Sequence, residues 1–284
     1  MKAMVLEEQQ PIEHSPLKLK EVNTPSLENG EILVKVLTCG VCRTDLHVIE
    51  GELKNPKLPL IVGHQVVGEV ISKCNTETFK IGDRVGIAWL NQTCGRCRWC
   101  REGSENLCPQ SLYTGYHKDG GYAEFIKINS SYAYKLWAEA DPIKLAPLLC
   151  AGIIGYRALK RSRAQKGDKL AIYGFGSSAH ITLQIARAMN IKVFVVTRAK
   201  AHRELALKLG AEWAGSIDDK LPVKVNSSII FAPAGELVPY ALKHLDKGGT
   251  LSLAGIYMSD IPSMQYEECK KKKKTVTSTE ANTR

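Results

Sequence analysis

Residues 169–196 constrain the fold more tightly than any other stretch of the chain. Lys169–Tyr173 (KLAIY) is a continuous apolar run, Gly174-Phe175-Gly176 interrupts it, Ser177–Met189 follows with helical spacing, and Lys192–Val196 (KVFVV) is a second apolar run. Strands that are apolar without alternation are buried on both faces, and strands separated by helices run parallel, so the pattern predicts a parallel sheet sandwiched by helices. A helix over His202–Leu209, a strand at Ser228–Phe231, a helix around Val238–Leu245 and a strand at Thr250–Ala254 continue it. The expected fold class is α/β, with a doubly wound domain over residues 150–260 and a polar, lysine-rich tail over 261–284.

The first half reads differently. Short β-like runs, Glu31–Leu37, Val66–Ile71 and Arg84–Ala88, are separated by turns at Asn29-Gly30 and Ile81-Gly82-Asp83, which predicts a β-rich domain over 1–149. At 284 residues the chain is long enough for two such cores. Glu7 interrupts the N-terminus before any signal-like run, and nowhere do about 18 uncharged apolar residues follow one another. The expectation is a cytoplasmic protein with no membrane partner. In that reducing compartment, clustered thiols among the nine cysteines bind metal more often than they pair. The net charge of +10 takes five units from Lys270–Lys274, a run that reads as solvated tail, so no nucleic-acid partner is expected.

Gly174, Gly176 and Ala179 fit G-x-G-x-x-A between a strand and a helix, the context in which such a loop binds a dinucleotide. Gly174 turns the chain, Gly176 admits the pyrophosphate, and Ala179 lets helix and strand pack. The strand end that often carries an acidic residue for the ribose reads Thr197, Arg198, Ala199, Lys200. A hydroxyl and a guanidinium suit a 2′-phosphate, so NADP(H) is favoured over NAD(H), the alternative being that Arg198 and Lys200 are solvated loop charges.

Cys94, Cys97, Cys100 and Cys108 form a C-x2-C-x2-C-x7-C run. An iron–sulfur run of the bacterial kind has three residues in the last gap, not seven, and no second cluster run occurs. Four thiolates satisfy tetrahedral zinc with no position left open, which predicts a structural site. Cys42, His64 and Cys150 are the donor types of an open zinc site, but sequence spacing does not by itself bring them together.

Taken in order, GVCRTDLH, the GH of VGHQVVGEV, the GDRVG turn, the four-cysteine lobe, GGYAEF, APLLCAG and the glycine loop resemble the zinc-dependent alcohol dehydrogenases of the medium-chain dehydrogenase/reductase superfamily, in the style of its cinnamyl-alcohol-dehydrogenase-like members. The resemblance extends to about Asp260. It implies a GroES-like catalytic domain with its zinc lobe at 94–108, followed by a Rossmann domain incomplete at its C-terminal end. It implies zinc at two places, a catalytic ion on Cys42, His64 and Cys150 and a structural ion on Cys94, Cys97, Cys100 and Cys108. Thr44 would hydrogen-bond the substrate oxygen, His47 would relay its proton, and Arg43 would lie near the cofactor pyrophosphate. Trp89 would wall the substrate pocket, or else pack after its strand. The implied activity is hydride transfer between a nicotinamide cofactor and a small alcohol, aldehyde or ketone, in a family where dimers are usual. Two departures stand out. Gln65 replaces a common Glu beside the zinc-binding His, and the chain stops at Arg284 where family members usually continue. The second departure implies an unpaired sheet edge at Thr250–Ala254, and opens the alternative of a weakly active or non-catalytic remnant.

Overall fold

The computed structural model describes residues 1–264 and 275–278, so the lysine run Lys270–Lys274 lies outside the described residues. The chain divides into two compact units, one running from Met1 to Cys150 and one beginning at Ala151.

Ten short strands build the first unit: β1 (Lys2–Leu6), β2 (Leu17–Glu21), β3 (Glu31–Cys39), β4 (Leu60–Ile61), β5 (Val66–Lys73), β6 (Arg84–Ile87), β7 (Leu90–Gln92), β8 (Leu112–Tyr113), β9 (Phe125–Asn129) and β10 (Ala133–Lys135). Five of them form an antiparallel sheet in the order β10-β6-β5-β3-β9. Period-2 alternation explains its core. Ile32 and Val34 of β3 turn inward with Val66 and Val70 of β5, Val85 and Ile87 of β6, and Ile126 and Ile128 of β9. A second sheet runs β2-β1-β4, and β7 pairs with β8 as a separate ribbon. Three short helices, α1 (Arg43–Ile49), α2 (Arg98–Arg101) and α3 (Pro142–Leu145), sit between strands.

The second unit holds α4 (Ala151–Ser162), β11 (Lys169–Tyr173), α5 (Ser177–Ala188), β12 (Lys192–Val196), α6 (Lys200–Lys208), β13 (Trp213–Gly215), β14 (Val225–Ile230), α7 (Leu237–His244), β15 (Leu245–Leu253) and β16 (Thr275–Ser278). All six strands are parallel, in the order β13-β12-β11-β14-β15-β16. Leu170 and Ile172 of β11 join one core with Leu159 of α4 and Leu183 of α5, whereas Ala171 and Tyr173 join another with Val238 and Leu242 of α7. Burial on both faces is why these strands carry no polar alternation.

The structure corrects the expected sheet edge. β15 is not left unpaired, because Thr250 through Leu253 lie in parallel register with Thr275 through Ser278. No single helix among the described residues is long and apolar enough to cross a membrane.

Candidate active site

Helix α1 begins at Cys42, and its sequence explains why it begins there. Asp45, three residues on, accepts the Cys42 backbone N–H at 2.8 Å, the returning arm of a capping box. The helix buries Thr44 and His47, one turn apart on the same face, and leaves Arg43 exposed. His47 Nδ1 pairs with Glu52, a residue whose side chain is 40% exposed against 9% for the histidine. Thr44 Oγ1 lies 3.6 Å from Cys42 Sγ.

The fold brings Cys42 together with His64 and Cys150. His64 lies in the loop between β4 and β5, Cys150 follows the turn Ala146–Leu149, and the three donor atoms lie within 4.8 Å of one another. The two sulfurs are 3.8 Å apart, matching the edge of about 3.8 Å in a tetrahedron with zinc–sulfur bonds of ~2.3 Å. His64 is wholly buried, and its Nε2 has no hydrogen-bond partner. Its Nδ1 meets Asp45 Oδ1 at 2.8 Å. A carboxylate only accepts, so Nδ1 carries a hydrogen, and Nε2 is the nitrogen that would offer its lone pair to a metal beside the thiols.

The three groups perturb one another's ionisation. The Cys150 thiol, ahead of the opposing effect of burial and with help from His64, draws Cys42 down to about 4. The same contact, with burial, pushes Cys150 well above the thiol range. Burial works against the His64 imidazolium, yet the Asp45 carboxylate and Cys42 outweigh it and raise the ring to about 9. Two half-buried thiols converging on a buried, orphaned imidazole nitrogen fit a zinc ion.

The second set is local. Cys94, Cys97, Cys100 and Cys108 also converge within 4.8 Å, with Cys97 and Cys100 sulfurs 3.5 Å apart and Cys94 and Cys100 sulfurs 4.0 Å apart. Backbone amides point at the sulfurs: Cys97 N–H donates to Cys94 at 3.3 Å, and Gln110 N–H to Cys108 at 3.4 Å. The amides of Arg96 and Cys97 lower Cys94 to about 6. The Cys100 amide acts against it, but burial and the neighbouring thiols raise Cys97 to about 11. β7 and β8 close the base of this lobe, pairing Leu90 with Tyr113 and Gln92 with Leu112. The described residues contain these two metal-donor groups and no other.

In the second unit Gly174 has φ +84, which only glycine adopts without strain, and it turns the chain from β11 into α5. A Cβ on Gly176 would meet nothing within 4 Å, so the space beside it is open. Ala179 is completely buried against the strands. No side chain caps the first amides of α5, which leaves them for an anion. Thr197 is buried at the end of β12, and Arg198 is exposed beyond it. Open space and uncapped amides fit the pyrophosphate of a dinucleotide.

Sequence reasoning missed three participants. Asp45 left a trace as the acid three residues after a helix cap. Glu52 left none, and Tyr122 stood inside the GGYAEF motif with no role attached to it, its hydroxyl reaching Asp45 Oδ2 at 2.9 Å across 77 residues. Trp89 is 5% exposed, set edge-on to His64 at 5.0 Å between ring centroids and stacked on Tyr113 and Tyr116. Gln65 is buried with its side chain against Gly40.

Comparison with known proteins gives concordant matches. The family model of the alcohol dehydrogenase GroES-like domain matches residues 28–138, and that of the zinc-binding dehydrogenase matches residues 179–283. AdhA of Mycobacterium tuberculosis is 48% identical over 280 residues, which are 96% of this chain and 81% of that protein. An alcohol dehydrogenase of Geobacillus stearothermophilus is 43% identical over 256 residues, 87% of this chain and 76% of that protein. Among solved structures, the CAD of Helicobacter pylori complexed with NADP(H) superposes with a TM-score of 0.88 at 26% identity, covering 99% of this chain and 83% of that one.

Proposed function

The chain belongs to the zinc-dependent alcohol dehydrogenases, and from that premise we propose how its residues divide the work of reducing aldehydes or ketones, or oxidising alcohols. One observation carries the reading: three donors from separate parts of the chain converge around an imidazole nitrogen that is buried and has no other partner. Cys42, His64 and Cys150 would hold a zinc ion, which would supply a Lewis acid for the substrate oxygen, and the glycine-loop site would hold the nicotinamide cofactor, which would supply or take the hydride. The cysteines of the 94–108 lobe hold a second zinc that is structural.

The remaining steps fall to the chain's own groups. During oxidation Thr44 Oγ1 accepts the substrate hydroxyl proton while giving up its own hydroxyl hydrogen toward His47, and during reduction both moves reverse. His47, on the same helical face, passes that proton to Glu52, whose exposure opens the path to water. Amides at the start of α5, with Gly174, Gly176 and Ala179, take the pyrophosphate, and exposed Arg43 is assigned to the same phosphates. Thr197 and Arg198 take the 2′-phosphate, making NADP(H) the preferred cofactor. A hydrogen bond to a charged group contributes about 1.5–3 kcal/mol, roughly ten- to a hundredfold in affinity. Trp89, covered by tyrosines, is assigned to packing the back of His64. Thiol ligands that must stay reduced favour the cytoplasm, and a homodimer is the assembly expected of the family.

The test combines metal content with turnover. Purified protein should hold two zinc equivalents per chain and oxidise NADPH with an aldehyde panel faster than NADH. Cys42→Ser should lose turnover and one equivalent with little loss of melting temperature. Cys97→Ser should lose the other equivalent and melt earlier. Iron with acid-labile sulfide, or tighter binding of NADH than NADPH, would each reject its part of the assignment.

A further inference from the structure

Asp45 has two oxygens, and three donors meet them. Oδ1 faces His64 Nδ1 at 2.8 Å, while Oδ2 accepts the Cys42 N–H at 2.8 Å and the Tyr122 hydroxyl at 2.9 Å. The carboxylate is 2% exposed, so these bonds replace water that it has lost. Cys42 and His64 would be present for the metal in any case. Tyr122 is neither a ligand nor a neighbour in sequence of any ligand.

Its position is nonetheless fixed from two sides. Tyr122 N–H donates to Val62 carbonyl at 3.0 Å, and its carbonyl accepts Met4 N–H at 2.8 Å. The ring lies on Gly63, where a Cβ would come within 2.6 Å of it, so the residue before His64 must be glycine for the tyrosine to fit. Burial, then the Asp45 charge, keeps the phenol protonated far above neutral pH, which makes it a permanent donor. A buried carboxylate with one fewer donor is free to rotate or to seek another partner, and either would release the hydrogen bond that orients His64.

We propose that Tyr122 is a positioning residue of the Cys42, His64 and Cys150 centre, acting through Asp45 to hold His64 with Nε2 aimed at the two sulfurs. The proposal rests on the assignment of a metal to those three residues. Tyr122→Phe keeps the ring on Gly63 and both backbone bonds, so only the hydroxyl is removed. Partners at this remove from a metal typically alter its affinity 10–100-fold.

The experiment is zinc release to a chromogenic chelator from the full chain, followed together with thermal melting. In the unmutated protein two equivalents should leave at distinct rates. Tyr122→Phe should release one equivalent about tenfold faster and leave the other, held by the lobe, unchanged. The visible absorption of the cobalt-substituted protein should shift with it. In an Asp45→Asn background the same change should have no further effect on release, since the route to His64 is already altered. Equal acceleration of both equivalents with a lower melting temperature would reduce Tyr122 to a structural role and overturn the proposal. So would unchanged release, or an undiminished effect in the Asp45→Asn background. If that background does not fold, the ratio of the two rates in Tyr122→Phe decides alone. A single zinc equivalent in the unmutated protein would instead overturn the metal assignment, and this proposal with it.

Discussion

Asp219 shows how a single side chain ties stability to pH. Its carboxylate accepts the Ser216 backbone N–H at 2.7 Å and the Ser216 hydroxyl at 2.9 Å. The Ser216 backbone and hydroxyl bonds hold its carboxyl below the ordinary aspartate value of 3.8. A group whose pKa is depressed by folding stabilises the fold above its unfolded value, and that contribution disappears as pH falls through the folded value. Asp219→Asn should therefore melt below the unmutated protein by a constant margin from about pH 5 upward, with the margin shrinking below pH 4. Melting curves across that range check it, and a margin equally large at the acid end would contradict the assigned hydrogen bonds. Asp219 is exposed and its hydrogen bonds are local to Ser216, so turnover at neutral pH should not change.

At the scale of elements, α4 and α5 approach each other through Gly155. A Cβ there would lie 2.4 Å from Thr182 Oγ1 and 3.0 Å from the Ser178 carbonyl, and Thr182 is itself buried and bonded to that carbonyl at 2.7 Å. Glycine within a helix normally costs about 1 kcal/mol relative to alanine. Here the sign should reverse: Gly155→Ala should destabilise by about 1–3 kcal/mol through overpacking, measured by urea unfolding, while Ala151→Gly, at the start of the same helix, should cost no more than the propensity. Elements with one dominant local signal were legible in the sequence. β11 and β12 have the bounds that their apolar runs predict, and α5 ends one residue short of Met189. β2 was invisible because its LKLKE leaves no buried residue, and three-residue β13 because it is shorter than any periodicity. α4 was hidden behind the APLLCAG motif, which drew attention as ligand-bearing rather than as a helix start. The candidate site divides the same way. The lobe's donors could be named from their spacing and Cys42, His64 and Cys150 from the resemblance, but Asp45, Glu52 and Tyr122 act through contacts that only the folded chain creates.

For the molecule as a whole, both metal-donor sets fall between Met1 and Cys150, and the glycine loop and Thr197 fall beyond Ala151. Any ligand that binds only the folded state raises stability by mass action, by about 2.7 kcal/mol at a hundred times its dissociation constant. Scanning calorimetry should then show chelator lowering the transition of the first unit and NADPH raising that of the second. One transition moved equally by both would mean that the units melt as a single cooperative body. The two donor sets also differ in how a lineage can gain or lose them. The lobe's four cysteines lie within residues 94–108, and the chain enters and leaves it through strands already paired to each other at Leu90–Tyr113. One deletion at that neck removes the whole cage and leaves a short hairpin, and one insertion restores it. Cys42, His64 and Cys150 hang on three separate parts of the chain, so no single event can transplant them, and their loss proceeds one substitution at a time, the first leaving two ligands stranded.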